Sequence, residues 1–220
     1  MNRLAPALLL AFGLAGAAWA GNDDVDMDKV NGSIHVPDNA TVGKVSTVNG
    51  SIKVGANAHA KSAETVNGGI DLDSGATVDS LETVNGGIRI GERNKVAKDV
   101  EAVNGSITLH TGADVGGKVS NVNGSIKLEE AHIGGGIETS SGDVTIGANS
   151  RVEGGLVVNE DHSWFHVGSH KPRIVIGTHA TVQGTLQFKR EVELYVSDSA
   201  TVGKIEGATA QKFSGDQPAQ

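Results

Sequence analysis

The chain has 220 residues, a net charge of −8 and no Cys; 31 residues are Gly and only 3% are aromatic. An acidic chain without a basic stripe is a poor partner for nucleic acid or anionic lipid, and the absence of Cys excludes disulfides and an N-terminal lipid on Cys. About 190 ordered residues can bury one sizeable core, but this composition requires a thin core of small aliphatic side chains.

The first element is "MNRLAPALLLAFGLAGAAWA", residues 1–20. A basic start (Arg3), an apolar Leu/Ala run and the ending Ala18-Trp19-Ala20 form the pattern of a secretory signal peptide cut after Ala20. The run is short for a membrane span. No later stretch is long and apolar enough to cross a bilayer, so the mature chain is expected outside the cytoplasm of a bacterium, in the periplasm or at the cell surface. Cleavage removes Arg3 and takes the net charge from −8 to −9. Residues 21–29 read as an acidic leader. Its "NDDVDMD" carries four Asp but lacks the turn Gly and the closing Glu of a Ca²⁺ loop.

From Val30 the chain repeats itself. "VNGSI" occurs at Val30, Val48, Val103 and Val122, and "VNGGI" at Val66 and Val84, at spacings of 18 or 19 residues. Stepping by six from Val30 reaches an apolar residue every time as far as Val96. A helix does not produce that period, whereas three short strands per turn of a triangular coil do. The expected fold is therefore all-β, a single-stranded β-helix (β-solenoid) of about ten coils over residues 30–207. The hexad is compatible with either hand of winding.

The sequence places this hexad row in the core, with Val30, Val48, Val66, Val84, Val103 and Val122 among it. A second row follows four residues later: Ile34, Ile52, Ile70, Ile88, Ile107 and Ile126 on one side, Ala40, Ala58, Ala76 and Ala113 on the next. On the third side it is polar at first (Ser46, Glu64, Glu82) and then apolar (Val100, Val119, Ile137). The 19-residue coils are expected to hold their extra residue in a corner bulge. Asn-Gly tolerates positive φ, so the pair is expected at a tight corner. Stacking then sets Asn31, Asn49, Asn67, Asn85, Asn104 and Asn123 above one another, about 4.8 Å apart, where their amides form a structural ladder.

Further on, Glu129-Glu130 is an isolated acidic pair at a corner, and "GGGIE" at Gly134 lacks the helix and Lys of a phosphate cradle. An insert at residues 159–173 then breaks the repeat. It carries His162, Trp164, Phe165, His166 and His170. In an extended segment the three His and Trp164 share a face, but His four residues apart lie roughly 13 Å from one another, so a shared Zn²⁺ or Cu²⁺ would need the loop to fold back. Trp164 suits contact with a sugar or peptide; the alternative is that the aromatic pair caps the solenoid flank. These five residues are the candidate binding site, with no metal, no cofactor and no catalytic residue assigned. Residues 208–220 have no apolar row and are expected to be a flexible tail.

The "VNGSI" and "VNGGI" coils, from Val30 to Ile146, resemble the adhesin-type β-solenoid family of bacterial secreted and envelope proteins. "IVIGTHATVQGTLQF" and "VELYVSDSATVGKI", from Ile174 to Ile205, resemble the polymer-forming bactofilins, whose β-helices assemble into filaments. The hexads "LDSGAT" and "IGTHAT" are similar to those of the hexapeptide acyltransferases, in the coil alone. These resemblances imply a rigid, non-catalytic envelope solenoid that meets a glycan, a protein or another copy of itself. Two alternatives stand beside it: a self-assembling scaffold joined end to end, and a polysaccharide-acting enzyme built on a β-helix.

Overall fold

Short strands of in-out-in pattern are the unit of the molecule. In Ile34–Val36 the first and third residues are buried and His35 faces out; Ile52–Val54, Ile70–Leu72 and Ile88–Ile90 repeat the pattern. This alternation follows from the pleat of a strand. A computed structural model describes residues 25–160, 171–215 and 217–218. It is an all-β solenoid with no helix among the described residues.

The first face is a ten-stranded parallel sheet running in chain order from Ile34–Val36 to Ala210–Phe213. At about 4.8 Å per layer, ten layers give a rod about 45–50 Å long. The second and third faces form one sheet that forks. In the early coils a nine-residue strand covers both faces: Thr41–Asn49, His59–Asn67 and Thr77–Asn85. Above the last of these, Lys95–Val96 continues the second face and Val100–Asn104 the third. Val78 pairs with Val96 and Leu81 with Val100, so the next coil has one more residue between the faces. The residue that makes this a 19-residue coil sits at the corner Ala97–Asp99, where it does not disturb the stack.

The core is a column of Val, Ile and Leu, with a tight edge of Ala58, Ala76, Ala113, Ala131 and Ala180. Two polar residues replace Ala in that edge, and both are satisfied. Buried Asn94 accepts from the Ala76 amide at 2.7 Å and donates to the Leu72 carbonyl at 3.3 Å. Ser150 accepts from the Ala131 amide at 3.3 Å. A buried polar side chain without such partners is costly.

The structure corrects the reading of the third side. The Val that opens each repeat faces outward: Val48, Val66, Val84 and Val103 are half-buried, while Val30 and Val122 are 60% and 37% exposed. From the second repeat on, the inward position belongs to the preceding residue, which is Thr47, Thr65, Thr83, Ala102 or Asn121. Likewise Val45, Ala63 and Leu81 fill the core where Ser46, Glu64 and Glu82 were expected. The cause is the bent nine-residue strand. In His59–Asn67 the buried residues Ala60, Ala63 and Thr65 are spaced by three and then two, so a straight count of six drifts out of phase with the pleat.

The left-handed corner is also elsewhere. Positive φ recurs at Asn39, Asn57, Gly75, Arg93, Gly112, Glu130, Asn149 and His179, between the first and second faces. Of the six Asn-Gly glycines only Gly32 (φ 104°) and Gly124 (φ 122°) share it. The inner ones are Gly for another reason: a Cβ on Gly68 would lie 2.0 Å from the Gly50 carbonyl oxygen.

Both ends of the repeat extend further than expected. Met27–Asn31, largely within the acidic leader, pairs with Thr41–Asn49. Ala210–Phe213, within the expected flexible tail, is the tenth strand of the first face and pairs with Glu193–Ser197.

Candidate functional site

The third face carries the most regular outer surface. Parallel pairing sets each repeat in register on the next: Ser46, Glu64, Glu82, Glu101, Ser120 and Glu138 form one axial row. Two residues on, the outward Val48, Val66, Val84, Val103 and Val122 form a second row. The Asn ladder borders the second row at the corner. Asn49 donates to Asn31 at 3.0 Å, Asn67 to Asn49 at 2.9 Å, Asn85 to Asn67 at 3.1 Å, Asn104 to Asn85 at 3.1 Å and Asn123 to Asn104 at 3.0 Å.

The corner is fastened from inside as well. The buried hydroxyls of Thr47, Thr65 and Thr83 donate to the carbonyls of Gly32, Gly50 and Gly68 at 3.1, 2.9 and 2.9 Å. Asn121 takes this place one coil after Ala102 and donates to the Gly124 carbonyl at 2.9 Å. The first five Asn-Gly corners also donate their Gly amide to the next layer, as Gly50 does to the Asn67 carbonyl at 3.0 Å. With backbone, side chain and interior bonded to the neighbouring coils, these rows sit on a stiff support.

Charge is uneven along the carboxylate row. Lys44 pairs with Glu64 at 2.7 Å and Lys118 with Glu138 at 3.0 Å. Burial alone would push the Glu138 carboxyl up, but hydrogen bonds from Lys118 and Asn159 hold it below the usual range. Between them, partial burial raises the Glu82 carboxyl, and the neighbouring charges of Glu64 and Glu101 raise it further. Glu82, in the middle of the row, is therefore more easily protonated than an ordinary carboxylate.

Other polar groups form local pairs. His110 meets Glu129 at 2.7 Å, and Lys127 meets the same carboxylate at 2.6 Å. Those two hold Glu129 below its ordinary range, Lys127 first. The neighbouring Glu130 occupies the left-handed corner at φ 47°. His132 bridges Asp114 at 2.6 Å and Glu153 at 3.4 Å. Among the described residues no group of three or more His, Cys, Asp or Glu is arranged to hold a metal ion. A hollow of about 280 Å³ on the first face is lined by Asp143, Thr145, Arg173, Val175, Gln217 and Pro218.

The sequence-based candidates His162, Trp164, Phe165, His166 and His170 lie outside the described residues. The described flanks place the insert in the coil: the chain leaves the third face after Leu156–Val158 and re-enters the first face at Arg173–Ile176. The outward Val row escaped the sequence reading. Its signal was the Thr that precedes the repeat at Thr47, Thr65 and Thr83, since two adjacent residues of a strand cannot both face the core. Compared with known proteins, the chain matches no family model, no curated protein and no solved structure.

Proposed function

We propose that this chain is a non-catalytic, exported structural or adhesion-type solenoid of a bacterial envelope, and that its third face meets a neutral envelope glycan or a protein. The observation that carries this reading is the outward row Val48, Val66, Val84, Val103 and Val122, flanked by the Asn ladder and the carboxylates. An apolar strip rimmed by hydrogen-bonding groups is the usual make-up of a contact surface. Its regular spacing suits a partner that itself repeats, and the carboxylates disfavour an anionic one. The test is co-sedimentation of the purified mature chain with isolated envelope glycan and with envelope protein, beside the Val66→Lys and Val84→Lys variants. Binding that both substitutions abolish, with the β circular-dichroism spectrum unchanged, supports the reading; binding that ignores them overturns it.

A second reading rests on the last layer. Thr201–Val202, Ile205–Glu206 and Ala210–Phe213 end their sheets, and Val202 and Ile205 are only partly buried. Open strand edges invite addition of another chain, and contact between unlike ends does not close, so it builds filaments. Light scattering and negative-stain microscopy decide it: filaments one coil wide favour a self-assembling scaffold, and monomers at high concentration remove it.

A further inference from the structure

From the hydrogen bonding of the Asn-Gly corners, we infer that Asn123-Gly124 is a site of spontaneous covalent modification, at which the Asn side chain cyclises and opens to aspartate or isoaspartate. The other Asn-Gly pairs of the chain are held against the same reaction.

Asn-Gly is the dipeptide most open to this chemistry, because Gly has no side chain to obstruct the approach of its nitrogen. Base removes the proton of the Gly124 amide, and its nitrogen attacks the Asn123 side-chain carbonyl carbon. A nitrogen–carbon bond closes a five-membered imide, and the side-chain nitrogen leaves as ammonia. Water then adds to either imide carbonyl and breaks its bond to the ring nitrogen. One opening gives aspartate, the other isoaspartate. The only co-reactants are water and base.

Two atoms must be free for the ring to close, the Gly nitrogen and the Asn side-chain carbonyl. At the other corners both are engaged. Gly32 donates its amide to the Asn49 carbonyl at 2.8 Å, and Gly105 to the Asn123 carbonyl at 2.9 Å; Gly50, Gly68 and Gly86 do the same to the next layer at 3.0 Å. The side-chain oxygens of Asn31 and Asn104 accept from the next Asn of the ladder at 3.0 Å.

At Asn123 the ladder stops. Val119 and Ser120 pair with Ile137 and Glu138, but the pairing goes no further toward Asn123. The following coil carries Ser140-Ser141-Gly142 where an Asn-Gly would stand, and Ser141 donates to the Val122 carbonyl instead. Among the described residues the Gly124 amide and the Asn123 side-chain oxygen have no partner. Both residues are exposed to the water that opens the ring, whereas Gly50, Gly68, Gly86 and Gly105 are half-buried.

The chain contains its own control. "VNGSI" is identical at Val30, Val48, Val103 and Val122, so local sequence gives Asn31, Asn49, Asn104 and Asn123 one intrinsic rate. Any difference among them comes from the fold. Either product leaves a carboxylate at the end of the ladder, without the N–H that Asn123 gives Asn104.

The experiment incubates the full folded chain in mildly alkaline buffer and follows tryptic peptides by mass spectrometry with isoaspartate detection. Peptides 30–44, 45–53, 99–118 and 119–127 each hold one of the four identical sites. A parallel incubation in concentrated urea supplies the unfolded rates. The expected result is one common rate in urea and, in the folded chain, conversion at Asn123 about tenfold or more faster than at the other three, which react only from locally opened states. Equal rates in the folded chain overturn the inference, as does a faster site elsewhere, or an inert Asn123 in a chain that reacts in urea.

Discussion

A methyl group on Gly68 would sit 2.0 Å from a backbone oxygen of the coil below, while on Gly32, in the first coil, it would meet nothing within 4 Å. Gly68→Ala is therefore expected to cost about 3 kcal/mol of stability through displaced backbone. Gly32→Ala should cost about 1 kcal/mol, from its left-handed φ alone. Urea denaturation of the two variants measures the difference. The opposite change is available at the other corner. Arg93 holds φ 54° where coils below it use Asn57 and Gly75, and its pairing with Glu92 is an exposed one. Arg93→Asn is expected to stabilise by about 0.5–1 kcal/mol, because Asn enters this region more readily than Arg, and a higher urea midpoint at unchanged slope would show it. Both corners carry a legible residue signature, N-G at one and N-A or G-A at the other. The signature alone does not tell which of them turns left-handed, because Asn and Gly both enter that region.

Among elements, the row Glu64, Glu82 and Glu101 sets equal charges on neighbouring strands, a destabilising arrangement. The Glu82 carboxyl is raised by burial and by those neighbours. Its contribution is therefore complete while it is neutral in both states, and it is lost as pH rises from the unfolded value through the higher folded one. Glu82→Gln should remove that loss, stabilising the chain at neutral pH by about 0.5 kcal/mol with little effect in acid. Thermal unfolding across the carboxylate range reads both. Strand order, coil length and the Ile and Ala rows were all legible from period alone. The phase of the third face was not: three-residue spacing within a bent strand turns the pleat, and hydrophobicity cannot reveal this where Val lies outside and Thr inside. Thr47, Thr65 and Thr83 are inside because the Gly carbonyl beneath each gives its hydroxyl a partner.

For the whole molecule, each coil touches chiefly the coils above and below it, so stability is close to a sum of layer and interface terms. Deleting residues 67–84 joins Val66 to Asn85 and removes one 18-residue period. The shortened chain should remain a soluble β-rod with a modestly lower unfolding temperature. Deleting one residue more leaves the joined coil a residue short, so a strand at the junction must slip against its neighbour, and the unfolding temperature should fall further than for the 18-residue deletion. Calorimetry of the two deletions distinguishes a stack of equivalent layers from a single indivisible core.

Chain order along the axis has a mechanical consequence. Met27 lies in the first layers and Phe213 in the last, so tension applied at the two ends loads the coils in series, across the strands. Each 18-residue coil takes up about 4.8 Å of rod but releases about 60 Å of extended chain when peeled away. Under load the molecule would lengthen coil by coil, as a store of slack chain released one layer at a time.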